Sequence, residues 1–129
     1  KSLGIRTLWP QRPPVVDGEE RKLHSVLTNV LSNAEKFAPD DARIEIRVAA
    51  PRAGRVRVSV ADNGPGPAED RPEIRPFVTA ADPRHAGMGI GLTLALQILR
   101  EHGGDLALRR GRRGGAVVEF DLPAAGRAE

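Results

Sequence analysis

The sequence predicts a two-layer α/β sandwich, in which helices pack on one face of a mixed, mainly antiparallel β-sheet. Four segments, residues 43–50, 55–61, 105–110 and 116–122, alternate apolar and polar residues as half-buried strands do. Two longer segments, residues 19–38 and 89–102, repeat apolar residues at helical spacing. Their order along the chain matches such a sandwich, and the length of 129 residues predicts a single domain over residues 1–129.

The N-terminal part of the chain predicts an edge of the sheet followed by a helix. Residues 1–16 alternate weakly and contain three prolines, which cannot donate to a central hydrogen-bond ladder, so we expect one or two short edge strands. An acidic helix start at residues 17–20 follows, and the helix should end near residue 38. Its apolar residues share one face and are Leu23, Val26, Leu27, Val30, Leu31 and Ala34.

Glycine and proline mark the remaining connections. Residues 51–54 indicate a short hairpin between two strands. Residues 62–88 are rich in glycine, proline and charge, and a loop of that length in a compact domain is usually functional. Gly103 and Gly104 should end the second helix, because glycine readily adopts the left-handed conformation found there. We expect residues 123–129 to form a frayed tail.

Composition narrows the classes of function. The chain has no cysteine, which excludes disulfides and thiolate metal sites, and its formal net charge is only +3. No apolar run approaches the roughly 20 residues of a membrane-spanning helix, so we expect a soluble domain without membrane contact. The chain begins at Lys1 rather than at Met, which we interpret as a fragment of a longer protein. The arginines of residues 109–113 leave nucleic-acid binding as an alternative, but a solvated turn is the simpler interpretation, and we expect no nucleic-acid partner.

A glycine-rich stretch, Gly87-Met88-Gly89-Ile90-Gly91-Leu92, leads directly into the second predicted helix. The first turn of a helix has free N–H groups and the positive end of the helix dipole, and glycine lets a polyphosphate approach the main chain. The stretch therefore predicts an anion cradle. Its spacing differs from that of dinucleotide-binding folds and of P-loops. A helix that simply follows a glycine loop is the alternative.

Two asparagines on the first helix predict a metal site. Asn29 and Asn33 are four residues apart and therefore lie on one side of the helix. Amide oxygens suit magnesium, which commonly bridges a protein to nucleotide phosphates. Lys36 could meet a phosphate and Phe37 could cover a base. The alternative is a pair of solvated amides on the outer face.

A second polar motif, Asp62-Asn63-Gly64-Pro65-Gly66, lies where a strand ends and a loop begins. A carboxylate in that position can accept a hydrogen bond from an exocyclic amine, and the glycines let the backbone pass close to a flat base. An ordinary Asn-Gly turn after a strand is the alternative.

These motifs, in this order, resemble those of sensor histidine kinases. Residues 29–37 resemble the N box, residues 62–66 the DxGxG box, residues 76–77 the F box and residues 87–92 the GxGxGL box. The resemblance spans residues 17–104 and implies the GHKL, or Bergerat, ATP-binding fold of the catalytic domain of a two-component sensor histidine kinase. The layer order deduced above is consistent with that fold.

The resemblance implies a site for ATP and magnesium. Asn33 would be the main magnesium ligand, with Asn29 beside it, and Asp62 would bind the adenine amino group. Lys36 would reach the phosphates and Phe37 would pack near adenine. Residues 67–88 would form the ATP lid. The other implied ATP-binding residues are Gly64, Gly66, Phe77, Arg84, Gly87, Met88, Gly89, Ile90, Gly91 and Leu92.

The resemblance also implies the reaction and the partners. The γ-phosphate of ATP would pass to a histidine on a separate helical dimerisation and phosphoacceptor domain of the same protein, and a response regulator would follow. None of His24, His85 and His102 matches the acceptor motif, so no nucleophile is expected in this chain. The implied location is the cytoplasm, which is compatible with a membrane-bound full-length protein.

Two departures from the family pattern bear on activity. Gyrase-like and chaperone-like members carry a water-activating glutamate where this chain has Asn29, so rapid autonomous hydrolysis is not expected. Many kinases have an arginine soon after the F-box Phe, whereas Val78 and Thr79 follow here, which leaves Arg84 as the candidate contact for the terminal phosphate. A degenerate nucleotide-binding regulatory module without kinase output is the alternative function.

Overall fold

The architecture is a five-stranded mixed sheet with two helices, as the sequence predicts. The structure is a computed structural model that describes residues 2–36, 40–67, 88–112 and 114–125. The elements are β1 (Ser2–Leu8), α1 (Glu20–Lys36), β2 (Asp41–Val48), β3 (Arg55–Asp62), α2 (Met88–Glu101), β4 (Asp105–Arg110) and β5 (Ala116–Pro123). The strand order is β1-β2-β3-β5-β4, in which β1 pairs with β2 in parallel and the other pairs are antiparallel.

The alternation of apolar residues along the strands builds one continuous core. Ile46 pairs with Val60, Val60 with Val118, and Val118 with Leu108, so these side chains form one row across the sheet. Residues directly opposite each other project from the same face of a sheet. The row belongs to a core that also contains the buried residues Val26, Val30 and Ala34 of α1 and Leu92, Ala95, Ile98 and Leu99 of α2. Both helices therefore cover the same face.

The two helices run antiparallel. The backbone N–H of Glu19 donates to Nε2 of His102 at 3.2 Å, and Nζ of Lys22 lies 3.7 Å from Oε1 of Glu101. The start of α1 therefore lies beside the end of α2. Gly18 is required at this contact, because a Cβ on that residue would lie 2.7 Å from Cδ2 of His102.

The predicted glycine stop of α2 is confirmed. Gly103 has a φ of 82° and donates its N–H to the carbonyl of Arg100, while the N–H of Gly104 reaches the carbonyl of Leu99 at 2.7 Å. These two bonds form a Schellman motif, which satisfies carbonyls that the helix leaves free. Glycine is also needed at position 104 for steric reasons, since a Cβ there would collide with the carbonyl oxygen of Asp121.

One edge strand, β1, forms before α1, in agreement with the expected one or two, and Val16 makes an isolated bridge to Ala124. Two other expectations need correction. The tail is not frayed up to residue 125, because Ala124 N–H donates to Gly54 O at 2.8 Å and Ala125 N–H to Val15 O at 2.7 Å. Residue 88 opens α2 and so belongs to the helix rather than to the predicted loop. Residues 126–129 lie outside the described part.

The hairpin between β2 and β3 confirms the prediction and contains an unfavourable residue. Arg52 and Arg55 exchange backbone hydrogen bonds of 2.9 and 3.0 Å, which leaves Ala53 and Gly54 as a two-residue turn. Both have positive φ, 55° and 75°, as a type I′ turn requires. Ala53 pays the steric cost that a Cβ incurs in the left-handed region.

We therefore predict that Ala53→Gly raises the free energy of unfolding by about 0.5–1 kcal/mol, because relief of the left-handed strain outweighs the extra freedom of glycine in the unfolded chain. Urea denaturation measures the change. Ala50→Gly is the matched control, since Ala50 is exposed in the same connection and is absent from the positive-φ residues. An Ala53→Gly variant no more stable than Ala50→Gly would contradict the assignment of strain.

Candidate functional site

The end of α1, the start of α2 and the end of β3 lie at one end of the sandwich. Arg55, the first residue of β3, donates to the carbonyl of Gly103 at 2.7 Å, so β3 begins where α2 ends. An eight-residue strand and helices of 14 and 17 residues all extend about 20–25 Å from there. Their far termini therefore lie at the same end of the sandwich as Asp62, and we call this region the Asp62 end.

Asp62 is held by two backbone groups from different parts of the chain. Its Oδ1 accepts the N–H of Gly64 at 2.8 Å and the N–H of Ala116 at 3.2 Å. Burial raises the pKa of the Asp62 carboxyl above its usual value of 3.8, and the two hydrogen bonds partly offset that rise. The structure therefore holds a half-buried carboxylate in one orientation at the end of β3.

Asn63 fixes the strand end that carries Asp62. Its Oδ1 accepts the N–H of Arg43 at 2.8 Å, and its Nδ2 donates to the carbonyl of Asp41 at 2.8 Å. The amide thus satisfies both backbone groups of β2 beyond the last β2–β3 pair, which joins Ile44 and Asp62. Asn63 is a structural residue, so the motif is more than an Asn-Gly turn.

Two glycines let the loop after Asp62 and the turn before β5 touch at the level of the backbone. Gly66 has a φ of 78°, and a Cβ on it would lie within clashing distance of the carbonyl oxygen of Gly115. Gly115 also has a φ of 78°, and a Cβ on it would collide with the carbonyl oxygen of Asp62. No other residue type fits at either position without displacement of the backbone.

Asn33 is buried and carries an unpaired acceptor. The residue is 5% exposed, and its Oδ1 has no hydrogen-bond partner among the described residues. A buried acceptor without a partner costs about 1–3 kcal/mol, so it needs an explanation. The burial excludes the alternative of a solvated amide for Asn33. Asn29 is half-buried, and its Nδ2 lies 3.4 Å from Oγ of Ser25.

The other described candidate residues surround the same end. Lys36 is exposed and is the last residue of α1. The first turn of α2 contains Met88, Gly89, Ile90 and Gly91. Leu92 has a fully buried side chain in the core, so any contact of this residue with a phosphate would be through its backbone. The predicted contacts of Phe37, Phe77, Arg84 and Gly87 lie outside the described residues.

Two members of the arginine cluster, Arg109 and Arg110, lie in β4. Nε of Arg109 lies 3.2 Å from Oε1 of Glu119 on the neighbouring strand, and neither side chain is more than 29% exposed. The interpretation as a solvated turn is therefore wrong for these two arginines, which belong to the sheet. No helix in the described ranges is both long and apolar enough to cross a membrane.

Comparison with known proteins identifies the family. The model of the Histidine kinase-, DNA gyrase B-, and HSP90-like ATPase family matches residues 18–126. The chain belongs to this family. The adaptive-response sensory kinase SasA of Nostoc sp. is 33% identical over 126 residues, which cover 95% of this chain and 31% of SasA. SasA of Thermosynechococcus vestitus is 34% identical over 113 residues, which cover 85% of this chain and 30% of that SasA. The chain therefore spans about a third of these relatives.

Solved structures of histidine kinases share the fold of this ATPase domain. The mycobacterial sensor histidine kinase MprB superposes with a TM-score of 0.79 at 27% identity, covering 95% of this chain and 84% of that one. Full-length ShkA in complex with AMPPNP superposes with a TM-score of 0.80 at 31% identity, covering 98% and 27%. These matches confirm the predicted resemblance to the catalytic ATP-binding domain of a sensor histidine kinase.

The sequence reasoning missed the contribution of Gly115 and Ala116 to the Asp62 end of this ATPase domain. Gly114 and Gly115 lie in the connection between the strands predicted at residues 105–110 and 116–122. The signal available was the glycine pair itself, because two adjacent glycines before a regular strand favour positive φ or a close backbone approach. What they approach could not be deduced, since residues 62 and 115 are far apart in sequence.

The raised pKa of Asp62 gives a pH-dependent prediction. The Asp62 carboxyl has a higher pKa in the folded chain than in the unfolded chain. Such a group lowers the free energy of unfolding as the pH rises from the unfolded pKa to above the folded pKa, because the unfolded chain loses its proton more readily. Asp62→Asn removes this loss. We expect the stability of the variant, relative to the unsubstituted chain, to improve as the pH rises above the ordinary carboxyl pKa of 3.8.

Urea denaturation at several pH values measures this difference. Asp40→Asn is the control. It removes the same charge from an exposed side chain that directly precedes β2, the strand that pairs with the end of β3. The prediction fails if the relative stability of Asp62→Asn is constant with pH or follows that of Asp40→Asn.

Proposed function

We propose that this chain binds ATP with magnesium and donates the γ-phosphate to a histidine on a separate helical dimerisation and phosphoacceptor domain of the same protein. Membership of the ATPase family and similarity to sensor histidine kinases support the proposal. The single observation in this chain that carries it is the buried, unpaired Oδ1 of Asn33 at the Asp62 end.

The residues present fit a magnesium ion. Oδ1 of Asn33 is a hard oxygen ligand without a hydrogen-bond partner among the described residues, and Asn29 lies one turn away on the same helix. Asn33 would hold the ion, with Asn29 beside it. Magnesium would neutralise charge on the phosphates of bound ATP. Lys36, exposed at the last residue of α1, would add a positive charge near those phosphates.

Asp62 would recognise the adenine base. Its carboxylate is half-buried and acceptor-only when ionised, which suits the exocyclic amine of adenine. Gly64 and Gly66 would line the base, and the first turn of α2, with Met88, Gly89, Ile90 and Gly91, would receive the phosphates at the positive end of the helix dipole. The Leu92 side chain would support this turn from the core.

No protein nucleophile is needed for this reaction. Phosphoryl transfer depends mainly on alignment and charge neutralisation, so a site that positions ATP can serve an acceptor on another domain. We propose Phe37, Phe77, Arg84 and Gly87 as further ATP contacts on the basis of the family resemblance. A response regulator would receive the phosphoryl group next, and the domain would work in the cytoplasm.

Removal of the unpaired amide tests the metal site. Asn33→Leu keeps the number and branching of side-chain atoms, so the variant should fold, and loss of an unsatisfied buried acceptor should leave its free energy of unfolding equal or higher. We expect the increase in affinity for AMPPNP on addition of magnesium to disappear in calorimetric titrations. Thr28→Leu, an exposed position on the same helix, is the control and should keep it.

Retention of the magnesium dependence of AMPPNP affinity in folded Asn33→Leu would contradict the metal assignment. Loss of the dependence in Thr28→Leu as well would attribute the effect to the helix rather than to the amide.

Phosphoryl transfer is tested in the full-length protein that contains this chain. With ATP labelled at the γ-phosphate, we expect acid-labile label on a histidine outside residues 1–129, and at least about tenfold less label in the Asp62→Ala variant. Asp40→Ala, an exposed acidic residue near the start of β2, is the control. Nucleotide binding without any acid-labile label would instead support a regulatory module without kinase output.

A further inference from the structure

We propose that the turn entering β5, residues 115 and 116, orients the Asp62 carboxylate and thereby sets the preference of the site for adenine over 6-oxopurine bases. We call it the Gly115 turn. The inference rests on the proposed function, which assigns the adenine base to Asp62, and adds main-chain groups of a separate strand connection as its positioning elements.

The two carboxylate oxygens of Asp62 have different surroundings. Both backbone donors, Gly64 N–H and Ala116 N–H, bind Oδ1 of Asp62, at 2.8 and 3.2 Å. No hydrogen bond from the described residues reaches Oδ2. The described part of the chain therefore fixes one oxygen, and Oδ2 would be available to accept a hydrogen bond from a ligand.

The position of the Ala116 N–H depends on Gly115. Ala116 is buried, and it is the first residue of β5, where it pairs with Arg110 of β4. Its N–H is aimed at Asp62 because Gly115 lies against the backbone of residues 62 and 63, closer than any residue with a Cβ could. Gly66 locks the arrangement from the other side through its close contact with the carbonyl of Gly115.

Oδ2 of Asp62 would distinguish purine bases by the chemical group at their position 6. An oriented, ionised carboxylate offers only an acceptor at Oδ2, which matches the amine at position 6 of adenine and opposes the carbonyl oxygen there in hypoxanthine. Binding sites that present an unmatched polar group discriminate strongly against the wrong partner. The Gly115 turn would thus set base specificity without touching the base.

Asp62→Asn gives a sharp test because the amide must choose an orientation. Two N–H donors face Oδ1, so the side-chain oxygen should remain there and Nδ2 should take the place of the free oxygen. The site would then present a donor. We expect the ratio of ADP to inosine diphosphate affinity, measured by calorimetry, to fall by at least about tenfold, with inosine diphosphate gaining in absolute affinity.

A second variant tests the turn itself. Gly115→Ala should displace the backbone from Asp62, weaken ADP binding by about tenfold or more, and reduce the ADP to inosine diphosphate ratio. Gly114→Ala is the matched control. An alanine at position 114 would meet the same backbone strain, because φ is 88° there, but its Cβ would meet nothing within 4 Å. Thermal unfolding of each variant establishes that binding is measured on folded protein.

The outcomes separate this inference from the function on which it rests. If the unsubstituted chain does not bind ADP, the proposed function fails. If it binds ADP and Asp62→Asn keeps its preference for ADP, the amide is free to turn and the inference is overturned. Equal losses for both nucleotides in folded Gly115→Ala would likewise show a general structural effect and overturn it. If Gly115→Ala does not fold, the Asp62→Asn result decides.

Discussion

The contact of Gly115 with the backbone of Asp62 is the constraint on which the candidate site depends. It brings the connection before β5 against the loop after β3, although β3 and β5 are already neighbours in the sheet. Sheet pairing sets the register of β3 and β5 from Arg55 to Ala61. Beyond the last pair, the glycine contact holds the two connections together, so that the Ala116 N–H lies 3.2 Å from Oδ1 of Asp62.

The Asp62 end contains polar groups whose environments are unfavourable without a partner. Oδ1 of Asn33 is buried without a hydrogen-bond partner in the described part of the chain, and burial raises the pKa of Asp62. Both features cost folding free energy in the protein alone. They are what a site for a metal and a polar base is expected to contain, because a ligand that supplies the missing interactions recovers that cost on binding. At these two residues the stability of the chain is therefore opposed to the proposed binding function.

The opposite end of the sandwich is extensively joined. His102 accepts a hydrogen bond from Glu19, and Arg55 links the carbonyl of Gly103 to the carboxylate of Asp121, which it meets at 2.6 Å. The side chain of His102, which follows α2, and those of Arg55 in β3 and Asp121 in β5 thus connect both layers there. This anchored end fixes the antiparallel helix pair, and the pair in turn places Asn33 and the first turn of α2 beside the end of β3.

The sequence by itself determined the elements, their order and the family. Alternation with period two and helical spacing are local properties, and the motifs around Asn33 and Asp62 are contiguous, so a single chain displays them without its fold. The parallel pairing of β1, the ordering of residues 124 and 125, and the contact of Gly115 with Asp62 were decided only by the tertiary structure. Each depends on backbone groups distant in sequence, whose hydrogen bonds carry no residue signature. The burial of Asn33 belongs to the same class, because only the packing of α1 against the rest of the core distinguishes a ligand amide from a solvated one.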